Sequence, residues 1–155
     1  LIDEVIAGMQ EISQQREAKM VSNVQKGVSL LSADTSQLMV VLRAMCTNSL
    51  EAMGHGGRIE ISARHDQDIA SSRRGEEVAF PKGVIEIVVS DNGPGFAPED
   101  RKHLFDPFYS GREAGRGLGF GLSKCWRIIR NHGGAIDVES TPGQGATFRI
   151  KLPAA

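Results

Sequence analysis

Ile2, Val5, Ile6, Met9 and Ile12 recur at helical spacing along the start of the chain, which predicts a helix from Leu1 to about Lys19. Met20 to Gln25 reads as a strand ended by Gly27. Asp34 offers an N-cap for a second helix running to about Met53, where Gly54, Gly56 and Gly57 break it. On that helix Leu38, Leu42, Met45, Ser49 and Met53 share one side, the core-facing stripe, while Ala44, Asn48 and Glu51 share another. Arg58 to Ser62 alternates as a strand does, and Asp66 to Gly83 is polar, an exposed hairpin loop. Val84 to Val89 is short, β-branched and bounded by Gly83 and Gly93, the signature of a buried strand. Residues 104–121 are irregular, and a third helix is expected from about Leu122 to Asn131, closed by Gly133. Two strands, Ala135 to Glu139 and Ala146 to Leu152, flank Pro142, Gly143 and Gly145 and so form a hairpin. The order α-β-α-β-β-α-β-β implies helices on one face of a mixed sheet.

Composition narrows the partners. At 155 residues, 40% hydrophobic and 24% charged, the chain is one ordinary globular domain with no internal repeat. A net charge of -1 without a dominant basic block argues against nucleic acid. No apolar run approaches bilayer length and no signal peptide opens the chain, so a cytoplasmic domain without membrane contact is expected. Cys46 and Cys125 fall in separate helices and read as reduced, buried thiols. The four histidines do not cluster with cysteines at metal-ligand spacing. The chain begins without Met, so it reads as a fragment of something longer.

Three elements carry chemistry. Ser90-Asp91-Asn92-Gly93-Pro94-Gly95-Phe96 places a carboxylate at a strand end, where it accepts a hydrogen bond from an exocyclic amine. Gly93 and Gly95 let the backbone approach a planar ligand; an Asx-capped turn is the bland alternative. Asn48 sits inside a helix despite poor propensity, and its amide oxygen is a hard ligand suited to Mg²⁺ held jointly with phosphates. Gly117, Gly119 and Gly121 bare backbone N–H groups at the start of the third helix, an anion-binding arrangement flanked by Arg112 and Arg116. The spacing is neither the dinucleotide fingerprint nor a P-loop.

Taken together, these residues resemble the ATP-binding catalytic domain of sensor histidine kinases, in the superfamily that also holds DNA gyrase and MutL-type ATPases. Leu42 to Ala52 is similar to the asparagine box, with Asn48 as its magnesium ligand and catalytic residue. Asp91, Gly93, Gly95 and Phe96 are similar to the first glycine box, whose Asp reads the adenine amine. Leu104 to Tyr109 is similar to the phenylalanine box, and Gly117, Leu118, Gly119, Phe120, Gly121 and Leu122 to the second glycine box, which wraps the phosphates. Thr147 matches a Thr that helps seat adenine. The pattern looks closest to the nitrogen-regulation type. The resemblance implies a two-layer α/β sandwich (α+β) with a mostly antiparallel mixed sheet, ATP and Mg²⁺ as cofactors, and γ-phosphate transfer to a histidine on a dimerisation domain, then to a response regulator.

Two positions depart from the pattern. Ala44 stands where the gyrase branch carries a Glu that activates water, so very slow ATP hydrolysis is expected. Glu51 stands where many kinases carry a Lys near the phosphates. None of the four histidines suits a phosphoacceptor: His55 precedes Gly56, His103 precedes Leu104, His132 precedes Gly133, and His65-Asp66 falls in a predicted loop. The fragment is thus expected to lack its phosphorylation site and its dimerisation helices, and to be a monomer. Phosphate transfer to a protein serine, or a degenerate nucleotide-binding switch, are the competing readings. Trp126, Ile128 and Ile129 are expected in the core.

Overall fold

In the computed structural model the chain runs α1 (Ile2–Gly8), α2 (Gln10–Gln15), β1 (Lys19–Val24), α3 (Thr35–Met53), β2 (Arg58–Asp66), β3 (Ser71–Arg73), β4 (Glu76–Val78), β5 (Val84–Asp91), α4 (Pro98–Arg101), α5 (Phe120–Asn131), β6 (Ala135–Thr141) and β7 (Gly145–Pro153). The structure describes residues 1–28, 33–67, 71–73, 76–78, 80, 82–106 and 120–155. The main sheet has the order β1-β2-β5-β7-β6. β1 is parallel to β2, and the other pairings in this sheet are antiparallel, so the α+β class with a mostly antiparallel mixed sheet is as expected. The small β3–β4 hairpin occupies part of the predicted polar loop.

Period-two alternation sorts the sheet residues. Ile59 and Ile61 of β2, Ile85, Ile87 and Val89 of β5, and Phe148, Ile150 and Leu152 of β7 join the core cluster with Leu38, Val41, Leu42, Met45 and Leu50 of α3. Each large side chain buried there contributes ~1.5–3 kcal/mol. The buried stripe of α3 is wider than predicted, since Val41, Cys46 and Leu50 join it and Met53 is only partly buried.

Both ends of α3 are tied to distant parts of the chain. At its start the Asp34 carboxylate accepts from the Ser36 and Gln37 amides at 2.8 and 3.1 Å, satisfying N–H groups the helix cannot. The Asp34 amide itself donates to His132 Nε2 at 3.1 Å, and His132 Nδ1 lies 2.8 Å from the Ile128 carbonyl. At its end Gly54 takes φ +71 and the Arg16 guanidinium donates to the Leu50 and Gly54 carbonyls.

Four expectations are corrected. The first predicted helix is broken at Met9 and ends at Gln15. Gly8, a poor helix former, sits against Arg43, whose Nη2 lies 2.7 Å from where a Cβ would be. Glu17 then turns the chain with φ 52. His65-Asp66 lies in β2 and not in a loop, because its ladder with β5 continues to Asp66 and Val84. α4, opened by Pro98, was not predicted. Trp126 is 41% exposed, with the Arg130 guanidinium 5.5 Å from its ring centre. One residue of rotation separates it from Cys125, which takes the core position with Ile129.

Cys46 and Cys125 are unpaired with each other and buried, as expected. Burial pushes both thiols from an ordinary 9.0 up to about 12. Iodoacetamide at pH 8 is therefore expected to spare both thiols in the folded protein and label both in urea. Because the folded-state values are raised, their contribution to stability is whole below pH 9.0 and is lost as pH climbs towards about 12. Labelling of the folded chain at a free-thiol rate would overturn this.

Candidate nucleotide-binding site

The inward stripe of β5 reads Ile85, Ile87, Val89 and then Asp91. A carboxylate thus takes the next core-facing place where the sheet ends. It is 9% exposed, and three chain segments satisfy it. Ser49 Oγ on α3 donates to Oδ2 at 2.6 Å, while the Gly93 and Ala146 amides donate to Oδ1 at 2.9 and 3.3 Å.

The turn after Asp91 is fastened to the β6–β7 hairpin. Gly143 N donates to the Pro94 carbonyl at 2.6 Å. Phe96 N donates to Ser140 Oγ at 2.9 Å, which donates onward to the Gly145 carbonyl at 3.0 Å. Gly95, at φ +66, packs so closely that a Cβ would stand 2.6 Å from Ser140 Oγ and 2.7 Å from the Thr141 carbonyl. At Gly93 a Cβ would meet Met53 Cγ at 2.8 Å and Asp91 Oδ1 at 3.1 Å. Close contact therefore favours glycine at both positions, and the positive φ requires it at Gly95 as well. Asn92 ties the turn to β2 by accepting from the Arg58 amide at 2.7 Å.

Asn48 precedes Ser49 and so stands one helical step round from the Asp91 contact. α3 and α5 run antiparallel: Asp34 meets His132 near one end, and Cys125 Sγ lies 3.8 Å from the Val41 carbonyl further along. The same register carries the partly buried Asn48 level with the N-terminal end of α5. Gly121 there has open space where a side chain would be, and Leu122 packs partly buried against the core. The amide end of a helix attracts anions. Asp91, through Ser49, and Asn48 are thus brought to the same C-terminal half of α3. Phe120 is described by its backbone only. Arg112, Arg116, Gly117, Leu118 and Gly119 lie outside the described residues, as do Pro107, Phe108 and Tyr109 of the phenylalanine box. Leu104 and Phe105 of that box pack partly buried against the core.

Thr147 does not join the cleft. Its strand neighbours Ala146 and Phe148 face the helices, so its own side chain points to the other face of the sheet. There its hydroxyl lies 3.1 Å from that of Ser90. The adjoining Ala146 reaches Asp91 instead, through its backbone amide, a contact that no residue type advertises. Ser49 was read as part of the core stripe and its contact was missed. A hydroxyl in an otherwise apolar stripe, 1% exposed, was the available signal, since a buried hydroxyl needs a partner. Ala44 is partly buried and offers no proton acceptor, and Glu51 is exposed. Among the described residues no group of three His, Cys, Asp or Glu side chains can hold a metal. An amide oxygen at Asn48 fits a Mg²⁺ whose remaining ligands are phosphates and water. No described helix is long and apolar enough to cross a membrane.

Residues 33–155 match the family model described as histidine kinase-, DNA gyrase B-, and HSP90-like ATPase. The sensor histidine kinase ZraS of Klebsiella oxytoca is 31% identical over 156 residues, covering 98% of this chain and 30% of that protein. NtrB of Vibrio alginolyticus, a sensory histidine kinase/phosphatase, is 32% identical over 154 residues, covering 97% of this chain and 41% of its own length. The chain therefore spans less than half of either relative. The catalytic domain of histidine kinase ThkA superposes with a TM-score of 0.76 at 25% identity, covering 99% of this chain and 89% of that one. Full-length ShkA in complex with AMPPNP superposes at 0.78 and 25% identity, covering 99% and 29%. With four-fifths of its length inside the family match and near-complete overlap with a kinase catalytic domain, the chain belongs to the histidine kinase-, DNA gyrase B- and HSP90-like ATPase family, as an ATP-binding catalytic domain of the sensor histidine kinase type.

Proposed function

We propose that this single domain presents ATP with Mg²⁺ to a histidine on a dimerisation domain elsewhere in a longer, cytoplasmically facing protein, and that a response regulator then takes the phosphoryl group. The observation that carries the reading is the Asp91 carboxylate at the end of the central strand, an acceptor held in place by three donors from three chain segments. Asp91 receives the adenine amine, Gly93, Gly95 and Phe96 shape the ring's floor, and the start of α5 with Gly121 and Leu122 faces the phosphates. Arg112, Arg116, Gly117, Leu118, Gly119 and Phe120 complete the phosphate wrap in this reading. Asn48 holds Mg²⁺, which supplies charge neutralisation on the phosphate oxygens. Kinase ThkA has been found in complex with response regulator TrrA, which supports the last step. In this reading dimerisation belongs to the histidine-bearing domain, and the catalytic domain by itself is a monomer.

Calorimetric titration with AMPPNP tests the cation role. Mg²⁺ is expected to tighten binding by wild-type protein, and Asn48→Ala is expected to remove most of that gain, about tenfold, while leaving metal-free binding unchanged. Equal Mg²⁺ dependence in both proteins would reject Asn48 as the ligand.

Ala44 supports a second expectation. A methyl group cannot accept a proton from water, so steady-state ATP hydrolysis by the pure domain should stay near the uncatalysed background. Transfer to an added histidine-bearing domain needs no such base, because the imidazole is itself the nucleophile. Rapid hydrolysis by the domain alone would contradict this assignment.

A further inference from the structure

We infer that Ser49 is a positioning residue that sets the purine preference of the cleft, choosing a 6-amino over a 6-oxo ring. The inference rests on Asp91 reading the base, as proposed above. A carboxylate offers about four acceptor positions, two on each oxygen. Gly93 N and Ala146 N occupy both positions on Oδ1, at 2.9 and 3.3 Å, and Ser49 Oγ occupies one on Oδ2, at 2.6 Å. The position left over lies on Oδ2, the oxygen that Ser49 holds. The short O···O separation is that of a hydroxyl donating to a carboxylate.

Ser49 can hold that oxygen firmly because it has little freedom of its own. It is 1% exposed on α3, a helix clamped at its start by Asp34 and His132 and at its end by Arg16. With its proton committed to Oδ2, Ser49 keeps the remaining lone pair aimed outward. That lone pair attracts the hydrogen of a 6-amino group and repels a 6-oxo oxygen. Without the hydroxyl the carboxylate can turn or take a water, and the vacant position loses its aim.

Binding of ADP, purine riboside 5′-diphosphate and inosine 5′-diphosphate separates this role from a structural one. The three ligands share sugar and phosphates and differ at C6 of the ring. Ser49→Ala is expected to weaken ADP about tenfold, the scale of one hydrogen bond to a charged group, to leave purine riboside diphosphate unchanged, and to tighten inosine diphosphate, whose 6-oxo group no longer meets an aimed lone pair. The ADP to purine riboside diphosphate ratio therefore narrows about tenfold. Ser49→Cys keeps the side chain's shape and fills the space with a slightly larger sulfur that donates poorly, so it leaves no cavity, is expected to narrow the ratio while staying folded, and carries the test should the alanine variant unfold. Equal weakening of all three ligands, or an unchanged ratio in the cysteine variant, would overturn the role of Ser49. Failure of the wild-type protein to distinguish ADP from purine riboside diphosphate would instead overturn the Asp91 reading, and Ser49 with it.

Discussion

Asp91→Asn should fold and melt close to wild type, yet lose about two orders of magnitude in ADP affinity and come to favour inosine diphosphate. The amide has the same outline as the carboxylate, so the core below it is undisturbed. Its oxygen can take the place of Oδ1 and accept from the Gly93 and Ala146 amides. Its NH₂ then lies where Oδ2 was, and the Ser49 hydroxyl can reverse to accept from it, since a hydroxyl both donates and accepts. The Ser49 proton loses Oδ2 and must turn to a carbonyl one turn back on its own helix, within reach of a helical serine, so most of the stability is retained. The outward position, however, now donates. A 6-amino group brings a second donor to it and loses its hydrogen bond, whereas a 6-oxo group gains one. Sites built around one buried hydrogen bond discriminate strongly for this reason. Calorimetry with ADP and inosine diphosphate on both proteins, alongside thermal melts, reads the result. Retained ADP affinity in a folded variant would remove Asp91 from base recognition.

Gly145→Ala is the substitution expected to damage the fold most. Gly145 has φ +93, and a Cβ there would stand 2.0 Å from the Asp91 carbonyl oxygen and 2.9 Å from its carbon. Those are backbone atoms of the central strand, so no rotamer change relieves the clash. Either β7 peels back from the end of β5, or Asp91 moves. Strain of this kind costs about 3 kcal/mol, which lowers the melting temperature by roughly 10 °C for a chain of this length. Gly143 is the control: its φ is +81, but nothing lies within 4 Å of its Cβ position. Gly143→Ala carries only the conformational term, about 1 kcal/mol. If both variants melt alike, the close approach at Gly145 is not what holds the strand ends together. The Gly145 variant should also bind ADP poorly even where it remains folded, because Ala146 N supplies one of the three bonds to Asp91.

What the sequence made legible was what local rules govern. Asp34 as cap, Gly54 and Gly133 as stops, the alternation of β2 and the β-branched run of β5 are each decided within a few residues. Asp91, Gly93 and Gly95 were legible as a strand-end turn, and the Asx alternative is itself present, since the Gly93 amide donates to Asp91 Oδ1; only the helix and glycine-rich stretch on either side set them apart. Contacts that depend on which strands become neighbours were not. Thr147 was assigned to the cleft by motif, yet its parity on β7 turns it to the far face, beside Ser90. Ser49 was counted as core because helical periodicity reports burial and not the partner. Trp126 was expected inside because it is apolar, although the inward places on α5 go to Cys125 and Ile129. At Gly8, beside the break at Met9, Arg43 fills the place of a side chain, a meeting of residues far apart in the chain.

The two clamps on α3 have a mechanical consequence. A rod pinned at both ends acts as a splint, and in the proposed reading it spaces the part of the cleft that reads the base from the part that meets the cation. Under that reading those two parts are set apart before any ligand arrives, and that share of the ordering entropy of binding is spent during folding. Loosening either pin, His132 or Arg16, should leave every contacting residue in place and still make the cleft slower and less faithful in choosing its nucleotide.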